Sequence, residues 1–313
     1  MIHIPRNDYV FFRASNRIYR VFGSVHPENA VICLLRYWTS GGAWQKPIKY
    51  GTERQDKKTI ALYDNLTFYP WCGIQVGIMP IEGAYELLHN HGNSPSSKNI
   101  KPQPTPSEVD KLLSILEKNK INADVIGSNL VGNTSKNSDI DIAIHNIASK
   151  QEAIDAIKKI NLSPIIPDNM KSEKLASFNH VSNYDVRSLQ HRNCFLACLN
   201  GVKVDIHFSR NPHTHNNSTL REIWDENFWS ISHEKIFLGE VIDDRNSIFY
   251  PVEIDVLIEE MDSIIKCYSL DPAFHFIQKG DRILFTGQAM RDQHIPPHKH
   301  IVAKKLLKVE CRS

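Results

Sequence analysis

The sequence contains no apolar run approaching the roughly 20 residues that carry a helix across a bilayer. Its opening residues, Met1-Ile2-His3-Ile4-Pro5-Arg6, lack the charged start and apolar stretch of a secretory signal. Both absences predict a cytoplasmic protein without a membrane partner. Cysteine is sparse: six residues in 313, scattered and without a C-x-x-C pair to hold zinc. That excludes a disulfide framework, and Cys194 and Cys198, four apart in an expected strand, read as core. An excess of charge is missing as well. Lys and Arg total 37 against 35 Asp and Glu, a formal net charge of +2. There is no overall pull toward nucleic acid, so any basic groove has to be local.

What is present is a globular composition, 41% hydrophobic and 23% charged. The length suits two or three domains. Residues 1–91 read as a β-rich domain: Tyr9-Val10-Phe11-Phe12 and Arg17-Ile18-Tyr19-Arg20-Val21 flank a turn at Ser15-Asn16. Val31 to Trp38 and Lys58 to Leu62 are further apolar runs, and Ile81 to Leu88 has the spacing of a short helix. Residues 92–104, polar and proline-rich, form a linker. A core unit follows over 105–232. Thr105-Pro106-Ser107-Glu108 has the form of a capping box, and Val109, Leu112, Leu113 and Leu116 follow at helical spacing. Residues 233–313 turn β-like again. Phe237–Ile242, Ser247–Tyr250 and Arg282–Gly287 suggest the strands of a small barrel or sandwich, with Ile254 to Ile265 open between helix and strand.

The chemistry concentrates in one segment of the core unit. In Asp139-Ile140-Asp141-Ile142-Ala143-Ile144 the isoleucines alternate with the aspartates, as in a half-buried strand. Both carboxylates then share one face, where they repel each other unless a cation lies between them. Oxygen donors of that kind suit Mg²⁺. Just upstream, Gly127-Ser128 follows a short strand and Gly132 loosens the loop toward Ser138. A helix opening at Ser128 would turn free N–H groups toward an anion such as phosphate. A third carboxylate comes from a hairpin: Asn200-Gly201 joins Cys194–Leu199 to Val202–Phe208. There Val204, Ile206 and Phe208 take one face, and Lys203, Asp205 and His207 the other.

A Gly-Ser pair, a short loop with a second glycine, Ser-Asp-Ile-Asp-Ile and a distant strand Asp together resemble the DNA polymerase β-type nucleotidyltransferase superfamily. The motif covers about 105–210. The flanking β-rich stretches are more loosely similar to uncharacterised archaeal and bacterial nucleotidyltransferase-like proteins. The resemblance implies an α+β fold: a nucleotidyltransferase core of a small mixed sheet with helices, flanked by N-terminal and C-terminal β-rich domains. It implies that Asp139, Asp141 and Asp205 are catalytic and hold two Mg²⁺ or Mn²⁺ ions, with Asp205 activating the acceptor hydroxyl. Gly127, Ser128, Gly132 and Ser138 would bind the nucleotide.

The implied activity is transfer of NMP or dNMP from a nucleoside triphosphate, ATP or dATP favoured, to an acceptor hydroxyl with release of pyrophosphate. The acceptor could be an oligonucleotide, RNA or a protein, and the enzyme a homo-oligomer. Template-independent synthesis of oligonucleotide signals in antiviral defence is one form. A single-NMP modifier of a protein or tRNA, as in toxin–antitoxin pairs, is a second. A catalytically silent nucleotide- or RNA-binding module is a third. Other polar residues are weaker candidates. His213 and His215, or His294, His298 and His300, could bind metal; Lys171, Lys174, Arg187 and Arg192 could hold triphosphate charge; and the Tyr184 hydroxyl could accept a nucleotide. Loop, solvated surface or packing is the better reading of each. His207, beside Asp205, could contact phosphate or acceptor, though a polar-face histidine is more often a neighbour.

Overall fold

The computed structural model describes residues 2–3, 9–23, 26–39, 66–69, 74–88, 107–130, 139–164, 192, 195–210, 229–231, 233–292 and 300–310. The α+β fold class expected from the resemblance does not hold. The described residues are mostly β-sheet, in three large sheets, and among them only two α-helices exceed a single turn. Short alternating runs of β-branched and aromatic residues fill most of the chain, and such runs fit pleated, half-buried surfaces.

The N-terminal strands are β1 (Ile2–His3), β2 (Phe11–Ala14), β3 (Arg17–Val21), β4 (Ala30–Trp38), β5 (Leu66–Tyr69), β6 (Ile74–Pro80), β7 (Glu82–Gly83) and β8 (Glu86–Leu88). A six-stranded sheet runs β5-β6-β4-β3-β2-β8, and β1 pairs with β7. The turn between β2 and β3 falls at Ser15, whose φ is 55°. The short helix expected over 81–88 is absent. Leu87 and Leu88 instead pair antiparallel with Phe12 and Phe11, covering the edge of β2. An open row of backbone donors and acceptors outweighs so short a helical pattern. Lys58–Leu62 and the linker at 92–104 lie outside the described residues.

The central sheet has five strands: β9 (Ala123–Ile126), β10 (Ile140–Ile147), β11 (Ser163–Pro164), β12 (Leu196–Leu199) and β13 (Val202–Arg210). Their order is β11-β12-β13-β10-β9. β10 and β13 run parallel, and the other neighbours antiparallel. Helices α1 (Ser107–Lys118) and α3 (Lys150–Ile160) cover one face, and one helical turn, α2 (Gly127–Leu130), follows β9. Val109, Leu112 and Leu116 of α1 and Ala153 and Ile160 of α3 pack with Ile140, Ile142, Ile144, Val204, Ile206 and Phe208. The Ser149 hydroxyl caps α3 by accepting from the Glu152 N–H at 3.3 Å. Thr105 and Pro106 of the expected capping box lie outside the described residues.

The last sheet comprises β14 (Trp229–Ile231), β15 (Lys235–Asp243), β16 (Val252–Ile258), β17 (Ser263–Ser269), β18 (Arg282–Asp292) and β19 (His300–Glu310). β15, β16, β17, β19 and β18 pair in turn, and β18 returns to β15, closing a five-stranded barrel with β17 and β19 parallel. Phe237, Val241, Val256, Cys267, Phe285 and Leu306 fill it. Ile254 to Ile265 resolves as two strands joined through a 3-10 turn at Glu259–Met261. Ser247–Tyr250, expected as a strand, is a turn. Its Ile248 and Phe249 leave the barrel to join the core under the central sheet.

Polar links tie these parts together. Lys150 at the start of α3 is buried and donates to Asp244 Oδ2 and the Ile277 carbonyl, both at 2.8 Å. Arg210 ends β13 in an ion pair with Glu253 of the barrel at 2.9 Å. The opposite, polar face of the central sheet is met by the N-terminal sheet: Tyr9, Phe11, Ile18 and Tyr37 pack with Ile126 and Ala143. Among the described residues no helix is long and apolar enough to cross a membrane.

Candidate active site

The site is built on the one parallel pair of the central sheet. Register places Ile140 beside Val204, Asp141 beside Asp205 and Ala143 beside His207. Because side chains alternate along each strand, the isoleucines and valine go down into the core while the carboxylates share the upper face. The hairpin that delivers Asp205 turns through Asn200 and Gly201, whose φ values of 51° and 84° fit a tight two-residue connection. Asp139, Asp141 and Asp205 each present a carboxylate oxygen within 4.8 Å of the others. Asp205 is the deepest, 4% exposed.

Gly127, at the β9–α2 junction, has φ of +71°, and a Cβ there would lie 2.2 Å from Asp141 Oδ2. A Cβ there would have to displace the Asp141 carboxylate, so glycine suits both the backbone conformation and the closeness to the carboxylate. Asn129 of α2 donates to the Asp139 carbonyl at 3.0 Å and ties that turn to the start of β10. The helix expected at Ser128 is only α2, four residues long. Gly132 and Ser138 lie outside the described residues.

Lys203, which sequence reading left on the strand face without a role, joins the three carboxylates. Its Nζ is 3.1 Å from Asp139 Oδ2 and 3.7 Å from Asp205 Oδ2. Burial disfavours its charge, but Asp205, Asp139 and Asp141 outweigh that and raise its pKa above the ordinary lysine value. Lys203 therefore stays charged and bridges the carboxylates. Strand alternation was the available signal, since Lys203 is two residues before Asp205.

The N-terminal sheet reaches the same face. Tyr9 is buried, and its hydroxyl is 3.2 Å from His207 Nδ1. The other ring nitrogen, Nε2, is 3.8 Å from Asp141 Oδ1. Tyr37 on β4 is buried too; burial chiefly, with Asp141 and Asp139 adding to it against the pull of Arg36, pushes its pKa up to about 12. Its phenol is thus neutral and within the field of both aspartates. No local sequence signal connects Tyr9 or Tyr37 to residues so far along the chain.

No family model, curated protein or solved structure matches the chain.

The remaining candidates divide. Arg192 is drawn away from the carboxylates to the buried Asp281, with a second contact from Nη2 to Oδ1 at 3.2 Å. His300 is buried on β19 against the Tyr268 ring. His213, His215, His294, His298, Lys171, Lys174, Arg187, Tyr184 and Cys194 lie outside the described residues. Cys198 is half-buried on β12.

Proposed function

We propose that the chain is a metal-dependent nucleotidyltransferase that moves a nucleoside monophosphate from a nucleoside triphosphate to an acceptor hydroxyl. The observation that carries this reading is the convergence of Asp139, Asp141 and Asp205 through the parallel pairing of β10 and β13. The donor set is all carboxylate oxygen, which suits hard divalent ions such as Mg²⁺. Lys203 supports the fit, because a cationic group already lies between two of the carboxylates. One ammonium against three carboxylates leaves an excess of negative charge that a divalent ion would offset.

Asp139 and Asp141 would hold the ions together with Asp205. When bound, such ions lower the pKa of a hydroxyl and neutralise triphosphate and pyrophosphate charge. The protein's own groups do the rest. Asp205, fixed on β13, orients the acceptor and takes its hydroxyl proton. The acceptor oxygen bonds to the α-phosphorus as the bond to the bridging oxygen of pyrophosphate breaks. Gly127 lets the backbone approach Asp141, where a larger residue would displace its carboxylate. Positioning of this kind supplies a large share of catalysis in such transfers.

The test is incubation of the purified protein with each α-³²P-labelled NTP and dNTP and Mg²⁺ or Mn²⁺, resolved on denaturing gels. Label should enter a polynucleotide, oligonucleotide or protein band, and should vanish in the Asp139→Ala/Asp141→Ala double variant. Label that persists in that variant contradicts the assignment.

A further inference from the structure

Beside the carboxylates stands a nitrogen donor that the two-metal reading does not use. His207 follows Asp205 by two residues on β13, so it shares the upper face, and it pairs in register with Ala143 of β10. Alanine at 143 leaves the imidazole room that a larger side chain would take. Nε2 lies 3.8 Å from Asp141 Oδ1, a separation that two ligands of one ion can span.

The other ring nitrogen is already engaged. Nδ1 is 3.2 Å from the Tyr9 hydroxyl, and the two rings lie with centroids 4.9 Å apart. Histidines that bind metals are oriented in this way, with the non-ligating N–H given to a fixed acceptor, which also sets the tautomer. Tyr9 itself is held firmly. Its ring is buried beneath the Arg20 guanidinium, 4.4 Å from the centroid, and its backbone sits at φ 65°. A bulky residue in the left-handed region is a strained choice and persists where the surroundings over-determine it. Here those surroundings place a hydroxyl on His207.

We infer that His207, oriented by Tyr9, is a nitrogen ligand of the ion held by Asp141. The site then has mixed nitrogen and oxygen donors on that side. Imidazole favours first-row transition ions, whereas carboxylates alone suit Mg²⁺. The ion next to Asp141 is accordingly Mn²⁺ or a similar transition ion in preference to Mg²⁺, and the N-terminal sheet, through Tyr9, takes part in that choice. The inference rests on the reading of Asp139, Asp141 and Asp205 as an ion site.

The probe is Mn²⁺ alone, added to the full-length protein and followed by electron spin echo envelope modulation. Bound Mn²⁺ should show ¹⁴N coupling from a directly ligated imidazole, lost in His207→Gln. His207→Gln should weaken Mn²⁺ binding about 10-fold while changing Mg²⁺ binding much less. Tyr9→Phe, which removes only the hydroxyl, should weaken Mn²⁺ by about 10-fold, as losses behind a ligand do. Mn²⁺ that binds in an aspartate-dependent way without ¹⁴N coupling, or with coupling that survives in His207→Gln, overturns the role of His207 alone. Absence of Mn²⁺ binding, or binding indifferent to Asp139→Ala/Asp141→Ala, overturns the ion site and this inference with it.

Discussion

Arg210, the last residue of the strand that carries Asp205, forms a buried ion pair with Glu253 of the barrel at 2.9 Å. The guanidinium also lies 4.7 Å from the centroid of the Phe249 ring, and Lys266 reaches the same carboxylate at 3.0 Å. Burial alone would raise the Glu253 pKa, but Arg210 and Lys266 together bring it down to about 2. The barrel is therefore fastened to the strand that holds the third aspartate.

A carboxylate depressed in the folded state stabilises the protein above its unfolded pKa, and that stability is lost as pH falls through the folded value. For Glu253 the window runs from the ordinary value of 4.5 down to about 2. Glu253→Gln should cost about 3 kcal/mol at neutral pH, since it leaves Arg210 and Lys266 without the carboxylate. Denaturant unfolding of the two proteins should differ by that amount at pH 7 and converge as pH drops toward 2. A constant difference across that range contradicts the assignment.

Lys203 and a divalent ion compete for the same carboxylates. An ammonium a few ångströms from a cation repels it by about 1 kcal/mol per unit charge even at water-like screening. Lys203→Met should therefore raise Mn²⁺ or Mg²⁺ affinity by at least roughly 5-fold, measured by titration calorimetry. Unchanged or weaker binding shows that Lys203 assists the ion instead of standing in for it.

Two glycines of similar backbone conformation should behave differently. Gly201 has φ of +84° and open space at its Cβ position, so Gly201→Ala should cost only the left-handed strain, about 1–2 kcal/mol, and leave activity intact. Gly127→Ala carries similar strain but also drives a methyl into the Asp141 carboxylate. It should remove most activity while melting only a few degrees lower. Comparable activity in both variants contradicts the close approach of Gly127 to the site.

The shared face of the three aspartates was more legible in sequence than the fold class. Strand alternation puts Asp139 and Asp141 on one face, and the Asn200-Gly201 hairpin puts Asp205 on another polar face, because both signals are local. The parallel pairing that brings Asp141 beside Asp205 adds what local pattern could only suggest. The fold class failed for a related reason: the segment that carries the resemblance spans about a third of the chain, and the helices there weigh little against the strands on either side. At 81–88 a helical spacing yielded to the open edge of β2, and at 247–250 an apolar run went to filling a core between sheets. Tyr9 and Tyr37 reach the carboxylate face only through packing distant in sequence, whereas the alternation of β13 already placed Lys203 on it.

The reaction class is tested most directly by comparing nucleoside triphosphate labelled at the α-phosphate with the same nucleotide labelled at the γ-phosphate. Wild-type protein should pass the α-label to the acceptor and release the γ-label as pyrophosphate, and Asp205→Asn should slow this by about 10³-fold, roughly 4 kcal/mol of barrier. Transfer of the γ-label to the acceptor, or α-label transfer that survives Asp205→Asn unchanged, would contradict nucleotidyl transfer at these three aspartates.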